Sequence, residues 1–125
     1  MRRDYSRLDK RKALEQIKRD PYILEGLNDE LKDDYEIVSL AVSIKPYALG
    51  SASETLRNNP NIAIEAIRKN PNAARYIGPQ LKSNYAFMSD ACKISKDIID
   101  FIEDEELKAR ILSEQPGYSQ ADEDQ

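Results

Sequence analysis

The chain has 125 residues and a mass of 14.3 kDa, with 40% hydrophobic side chains, 34% charged side chains and a formal charge of −4. It has no histidine and one cysteine, Cys92, which excludes imidazole catalysis, disulfide frameworks and zinc–cysteine clusters. Four glycines, no tryptophan and 7% aromatic residues argue against a turn-dense β architecture.

The charge is uneven. Residues 1–19 carry eight basic and three acidic side chains, while residues 100–125 carry nine acidic and two basic ones. The basic start Met1-Arg2-Arg3 leads into Asp4-Tyr5-Ser6-Arg7 rather than an apolar stretch, so no secretory signal is expected. No apolar run reaches the ~20 residues that span a bilayer. Net acidity argues against nucleic acid as the ligand. No membrane partner, metal, cofactor or small-molecule substrate is expected.

Along the chain the pattern is a repeat. Pro21, Pro46 and Pro71 stand 25 residues apart, and Leu31, Leu56 and Leu81 follow each by ten. Ile17, Val42, Ile67 and Cys92 form one apolar column. Leu24, Leu49, Ala74 and Ile99 form a second, and Leu27, Ala52, Ile77 and Ile102 a third. The units fall near 9–33, 34–58, 59–83 and 84–113, and each reads as two short helices.

In the first unit Asp20-Pro21 reads as an N-cap followed by proline at the first helical position. In the second, Ile37, Val38, Ala41 and Val42 mark one helix face. Lys45-Pro46 interrupts it, and Ala48, Leu49, Ala52 and Leu56 mark a second helix. The third repeats this from Asn59-Pro60, with Asn70-Pro71 at its middle. In the fourth, Lys96 replaces the proline, Ser95 offers the cap, and Ile98 to Leu112 has no breaker, which predicts one longer helix. Pro116-Gly117 ends it, and residues 115–125 read as a disordered acidic tail. Helices of about ten residues are marginal alone in water. The expected fold is therefore all-α: four stacked helix hairpins in a single domain over 1–114, a short α-solenoid.

The candidate chemistry is sparse. Cys92 has no base and lies in an apolar column, so a structural thiol is expected. The pairs Asp29-Glu30 and Asp33-Asp34 and the run Glu103 to Glu106 sit at helix ends, where ionised carboxylates are solvated. Gly26, Gly50, Gly78 and Gly117 stand alone; Gly26 and Gly50 lie inside predicted helices and Gly78 precedes Pro79, so they read as sites of close packing rather than a phosphate loop. Seven tyrosines are the more informative set. Tyr22 and Tyr47 share the place after the proline, and Tyr35 and Tyr85 share the start of a first helix. All four stand one residue outside the apolar stripes, as contact tyrosines do. Tyr76 breaks its own column beside Arg75, and Arg68, Lys69 and Arg75 give the third unit a basic patch for an acidic partner. The chain reads as a non-enzymatic protein-binding module, or as a self-associating scaffold or homodimer.

The segments Lys45-Pro46-Tyr47-Ala48-Leu49 with Leu56-Arg57-Asn58, Asp20-Pro21-Tyr22-Ile23-Leu24 with Leu31-Lys32-Asp33-Asp34, and Asn70-Pro71-Asn72-Ala73-Ala74 with Leu81-Lys82-Ser83-Asn84 carry a resemblance. The pattern over residues 9 to 108 resembles the domain-of-unknown-function 4116 repeats of Legionella and related intracellular bacteria. For a chain of this size the resemblance implies a regulator without catalysis, an inhibitor of a papain-like ubiquitin deamidase or ubiquitin-conjugating transglutaminase. It implies a bacterial cytoplasmic protein translocated into the host cell. Glu103-Asp104-Glu105-Glu106 and Asp122-Glu123-Asp124 are similar to the C-terminal signals of type IV secretion substrates.

Overall fold

The structure is a computed structural model and describes residues 5–115. A short 3₁₀ turn at Tyr5–Arg7 precedes the first unit, which comprises α1 (Lys10–Arg19), the 3₁₀ helix Pro21–Gly26 and α2 (Asp29–Lys32). The second comprises α3 (Tyr35–Ile44), the 3₁₀ helix Pro46–Ser51 and α4 (Glu54–Arg57). The third has α5 (Pro60–Lys69), the 3₁₀ helix Pro71–Tyr76 and α6 (Pro79–Lys82). The fourth has α7 (Tyr85–Ile94), the 3₁₀ helix Lys96–Phe101 and α8 (Glu105–Glu114). The described residues are all-α, and no helix among them is long and apolar enough to cross a membrane.

The 25-residue period is set by caps. Asp9, Asp34, Asn59 and Asn84 open α1, α3, α5 and α7, each side chain accepting a hydrogen bond from a backbone N–H in the first turn. Asp20, Asn70 and Ser95 do the same for the 3₁₀ helices, and Ser95 thereby takes the role expected of it. Lys45 offers no side-chain cap, and Pro46 begins that 3₁₀ helix without one.

Each unit has three helical pieces rather than two. The second helix expected over Ala48 to Leu56 is divided at Ala52 and Ser53, whose backbones are extended. Ser53 Oγ accepts from Leu56 N at 3.1 Å and starts α4 afresh, as Asn28 does for α2 through Leu31 N at 2.9 Å. Leu27, Ala52 and Ile77 are buried from this extended link. An apolar spacing that mimics one helix is thus met by a 3₁₀ helix, a link and a single α-turn.

The longer helix expected from Ile98 to Leu112 is corrected for the same reason. The 3₁₀ helix ends at Phe101, and Asp104 caps α8 through Glu106 N and Leu107 N. The link here is one residue longer, so Leu107 takes the buried place that Leu31, Leu56 and Leu81 hold earlier. With that extra residue Arg110 takes the place that Asp34, Asn59 and Asn84 hold three beyond the buried leucine, and it cannot cap, so α8 runs through the point where the other units break.

The three apolar columns are buried throughout. Stacking is fixed by backbone bonds between units: Ser53 N donates to Lys32 O at 3.0 Å and Gly78 N donates to Arg57 O at 2.8 Å. At the first joint Ser53 Oγ also donates to Asp33 at 2.6 Å. At the second, the cap crosses between units: Asn58 Oδ1 accepts from Gln80 N at 2.9 Å and Leu81 N at 3.3 Å. A Cβ at position 78 would lie 2.1 Å from Asn58 Oδ1. Gly78 is therefore the close approach expected of it; no described residue has positive φ, so space and not handedness selects the glycine. At the other end, α1 buries only Ala13 and Ile17, against four residues in each of α3, α5 and α7. Lys12 and Gln16 occupy the places of Ile37 and Ala41, which gives the stack a polar first helix.

Candidate interaction surface

The five candidate tyrosines divide by what stands opposite them in the stack. Tyr47 is half-buried, its ring 5.4 Å from that of Tyr76 and tilted by 57°. Tyr76 lies over Gly50, where a Cβ would come within 2.8 Å of its ring. Tyr22 holds the same place as Tyr47, but the residue 25 before Tyr76 is Ser51, so no ring covers it and it is 48% exposed. Tyr85 donates its hydroxyl hydrogen bond to Glu114, and the Arg110 guanidinium lies 3.7 Å from its ring centre. That bond to Glu114 holds the Tyr85 hydroxyl above its ordinary pKa, and the same bond, helped by Arg110, holds the Glu114 carboxyl below its own. Tyr35, at the equivalent start of α3, has no such clasp and is 49% exposed. The stack thus uses Tyr47, Tyr76 and Tyr85 internally and leaves Tyr22 and Tyr35 outside.

Tyr35 borders a broad concavity. A groove of about 520 Å³ runs between α1 and α3, lined by Leu14, Lys18, Tyr35, Glu36, Ser39, Leu40 and Ser43. Leu14 and Leu40 form its half-buried apolar floor. Ile44, one turn beyond Leu40 on the same helix face, is 40% exposed. Lys10 closes the lower end of this joint, bonded to Glu36 at 3.0 Å and Asp34 at 3.2 Å, and these two carboxylates raise the pKa of its ammonium. Leu14, Leu40 and Ile44 escaped the sequence reading. The clearest signal is Leu40, an apolar residue outside the buried columns where the other units carry Glu15, Glu65 and Asp90; Leu14 and Ile44 are matched by Ile64 and Ile94 in other units.

Arg68 and Lys69 are exposed and line a smaller hollow of about 350 Å³ on α5 with Asn61, Ile64 and Glu65. Arg75 is exposed on the 3₁₀ side, apart from that hollow. The larger electrostatic feature is the edge where the long helices end. Lys18, Arg19, Lys45, Arg68, Lys69, Lys93 and Lys96 are all exposed there, with only Asp20 and Asp97 among them. Cations at helix C-termini are favoured by the orphan carbonyls. Lys93 pairs with Asp90 at 3.7 Å, and no ion pair to the other six occurs among the described residues.

Cys92 is buried in α7, in its apolar column. Asp33 and Asp34 are spent on a joint and a cap, and Asp104 on another cap. Among the described residues no three His, Cys, Asp or Glu side chains gather as a metal site would require. The acidic segment Asp122-Glu123-Asp124 lies outside the described residues, as does the expected tail from Pro116 onward. Gln115, counted with that tail in the sequence reading, is instead buried, its Nε2 donating to Ser89 O at 3.0 Å and Ser89 Oγ at 2.9 Å.

Comparison with curated proteins and with solved structures gives no match. The family model described as "Domain of unknown function (DUF4116)" matches twice in tandem, over residues 9–57 and 59–108. Each match spans two of the 25-residue units and begins at or beside the N-cap of a long helix, Asp9 and Asn59. The chain belongs to the DUF4116 family.

Proposed function

We propose that the protein is a non-catalytic protein-interaction module whose binding surface is the α1/α3 groove. The observation that supports it is the groove's composition: a floor of Leu14 and Leu40 between the exposed Tyr35 and the exposed Ile44, in a protein that covers Tyr47, Tyr76 and Tyr85 internally. Apolar anchors set beside charged Lys18 and Glu36 suit a partner helix or loop that inserts apolar side chains and aligns through its charges. The specific partner follows from the family resemblance alone. It is a bacterial papain-like ubiquitin deamidase or ubiquitin-conjugating transglutaminase, which the module inhibits by covering its ubiquitin-binding surface, with translocation by type IV secretion as its route to the host cytoplasm.

The test uses the full chain and an L40E/I44E variant as baits against lysates of Legionella and of host cells, followed by ubiquitin deamidation with the captured enzyme. Capture by the wild type only, and loss of deamidation at equal concentration, is the expected result. Equal capture by both baits places the binding surface elsewhere, and undiminished deamidation removes the inhibitor reading. A bait that recovers only itself favours a self-associating scaffold.

A further inference from the structure

The basic edge of the third and fourth units stands close to the point where the acidic end of the chain departs. We propose that residues 116–125 of this chain dock in cis on that edge, through Asp122, Glu123 and Asp124 against Lys93, Lys96, Arg68 and Lys69. Three observations carry this. The first is charge: the segment after Gln115 has three carboxylates and no Lys or Arg, while the four cations are exposed and only Lys93 has an ion pair among the described residues. The second is the point of departure. Gln115 is buried and pinned by two hydrogen bonds to Ser89, and Ser89 lies one helical turn before Lys93 on the same face of α7.

The third is reach. Asp122 is seven steps along the chain from Gln115, and an extended chain of that length spans roughly 23 Å. One helical turn is ~5.4 Å and neighbouring packed helices lie about 8–10 Å apart, so Lys93 and then Arg68 and Lys69 are within range. Tethering keeps the carboxylates at an effective concentration in the millimolar range, which compensates for the weakness of each exposed contact. An occupied edge has a consequence for binding. An acidic partner reaching the third and fourth units must displace this segment first, whereas the α1/α3 groove stays open to its own partner. The inference is independent of that groove.

A nitroxide attached at Q120C of the full-length protein tests it, since Cys92 is buried. At about 0.1 M salt, where the screening length is ~10 Å, the amide signals of Lys93, Lys96, Arg68 and Lys69 should lose roughly half their intensity or more. Those of Asp29 and Glu54, on the opposite edge, should not. The loss should disappear at about 1 M salt, where screening falls to ~3 Å, and in the D122N/E123Q/D124N and R68Q/K69Q variants. All these substitutions are outside the core and leave folding unchanged. Equal intensities on both edges at low salt overturn the proposal. So does broadening that appears only when labelled and isotope-enriched molecules are mixed, because the contact is then between copies.

Discussion

The first two units and the last two are built on the same frame, but the last two cover Tyr76 and Tyr85 whereas the first two leave Tyr22 and Tyr35 exposed and cover only Tyr47, with a ring from the third unit. In the later pair, Tyr76 covers Gly50 and meets Tyr47, and Tyr85 is held by Arg110 and Glu114 of α8. In the earlier pair, Tyr22 is exposed, with Ser51 at the repeat position that Tyr76 fills for Tyr47, and Tyr35 is exposed beside the α1/α3 groove. The tyrosines at each repeat position are chemically identical, so their roles are decided by what packs against them: Tyr76 of the next unit for Tyr47, and α8 of its own unit for Tyr85. In a stack, what a residue does belongs to a pair of units.

The largest expected effect tests whether the two halves are one cooperative body. Leu49 is fully buried in the second unit. Leu49→Ala should cost about 2–5 kcal/mol of stability, read by urea unfolding, with one transition for both halves. A split transition would show that the units melt separately. Tyr76→Ala should cost about 2 kcal/mol, because it removes a half-buried ring and its partner, whereas Tyr22→Ala should stay within ~0.5 kcal/mol. Equal costs at the two sites would break the contrast between the halves.

The joints sharpen it. Gly78→Ala forces Asn58 off Gln80 N and Leu81 N, and loss of that cap should cost about 1–2 kcal/mol. The N58D/G78S pair rebuilds the Asp33–Ser53 arrangement of the preceding joint and should recover most of the loss, measured as a double-mutant cycle.

The clasp at α8 gives a smaller, pH-dependent effect. Glu114 has a lowered folded-state pKa, so its contribution is present above its ordinary carboxylate pKa and is lost as pH falls through the lowered value. Tyr85 has a raised one, so its contribution is present below its ordinary phenol pKa and is lost as pH rises through the raised value. Thermal unfolding against pH should show both losses in the wild type; Tyr85→Phe should abolish the alkaline loss and reduce the acid one, the remainder belonging to Arg110.

Much of the frame was legible because period and burial coincide. The columns through Ile17, Leu24 and Leu27 are core in every unit, and the close approach at Gly78 was readable from its isolation before Pro79. The division of each second helix was hidden. Ala48, Leu49, Ala52 and Leu56 fit one amphipathic helix as well as they fit a 3₁₀ helix, a link and a turn. Only the caps Asn28, Ser53 and Asp104 distinguish the two. The surface was hardest to read. Tyr47, Tyr76 and Tyr85 resemble Tyr35 in sequence, and their difference depends on Gly50, Arg110 and Glu114, which are distant in the chain. Leu40 and Ile44 were masked by a helix rich enough in apolar residues to look like core.

The smallest effect on stability carries the most about function. Tyr35→Ala and Ile44→Ala remove exposed side chains with no hydrogen bond or ion pair among the described residues, so each should change stability by less than ~0.5 kcal/mol. If the groove is the binding surface, the same substitutions remove anchors from the centre of an interface, where truncations typically cost about 2 kcal/mol or more in affinity. That is close to thirtyfold in Kd by the usual conversion of ~1.4 kcal/mol per decade. Titrating the captured partner against wild type and Tyr35→Ala by calorimetry measures it. The corresponding change in the later half, Tyr85→Ala, should show the reverse profile, with weakened docking of α8 and unchanged affinity. A partner that senses Tyr85 and ignores Tyr35 would move the binding surface to the other end of the stack and invert the division of labour between the two halves.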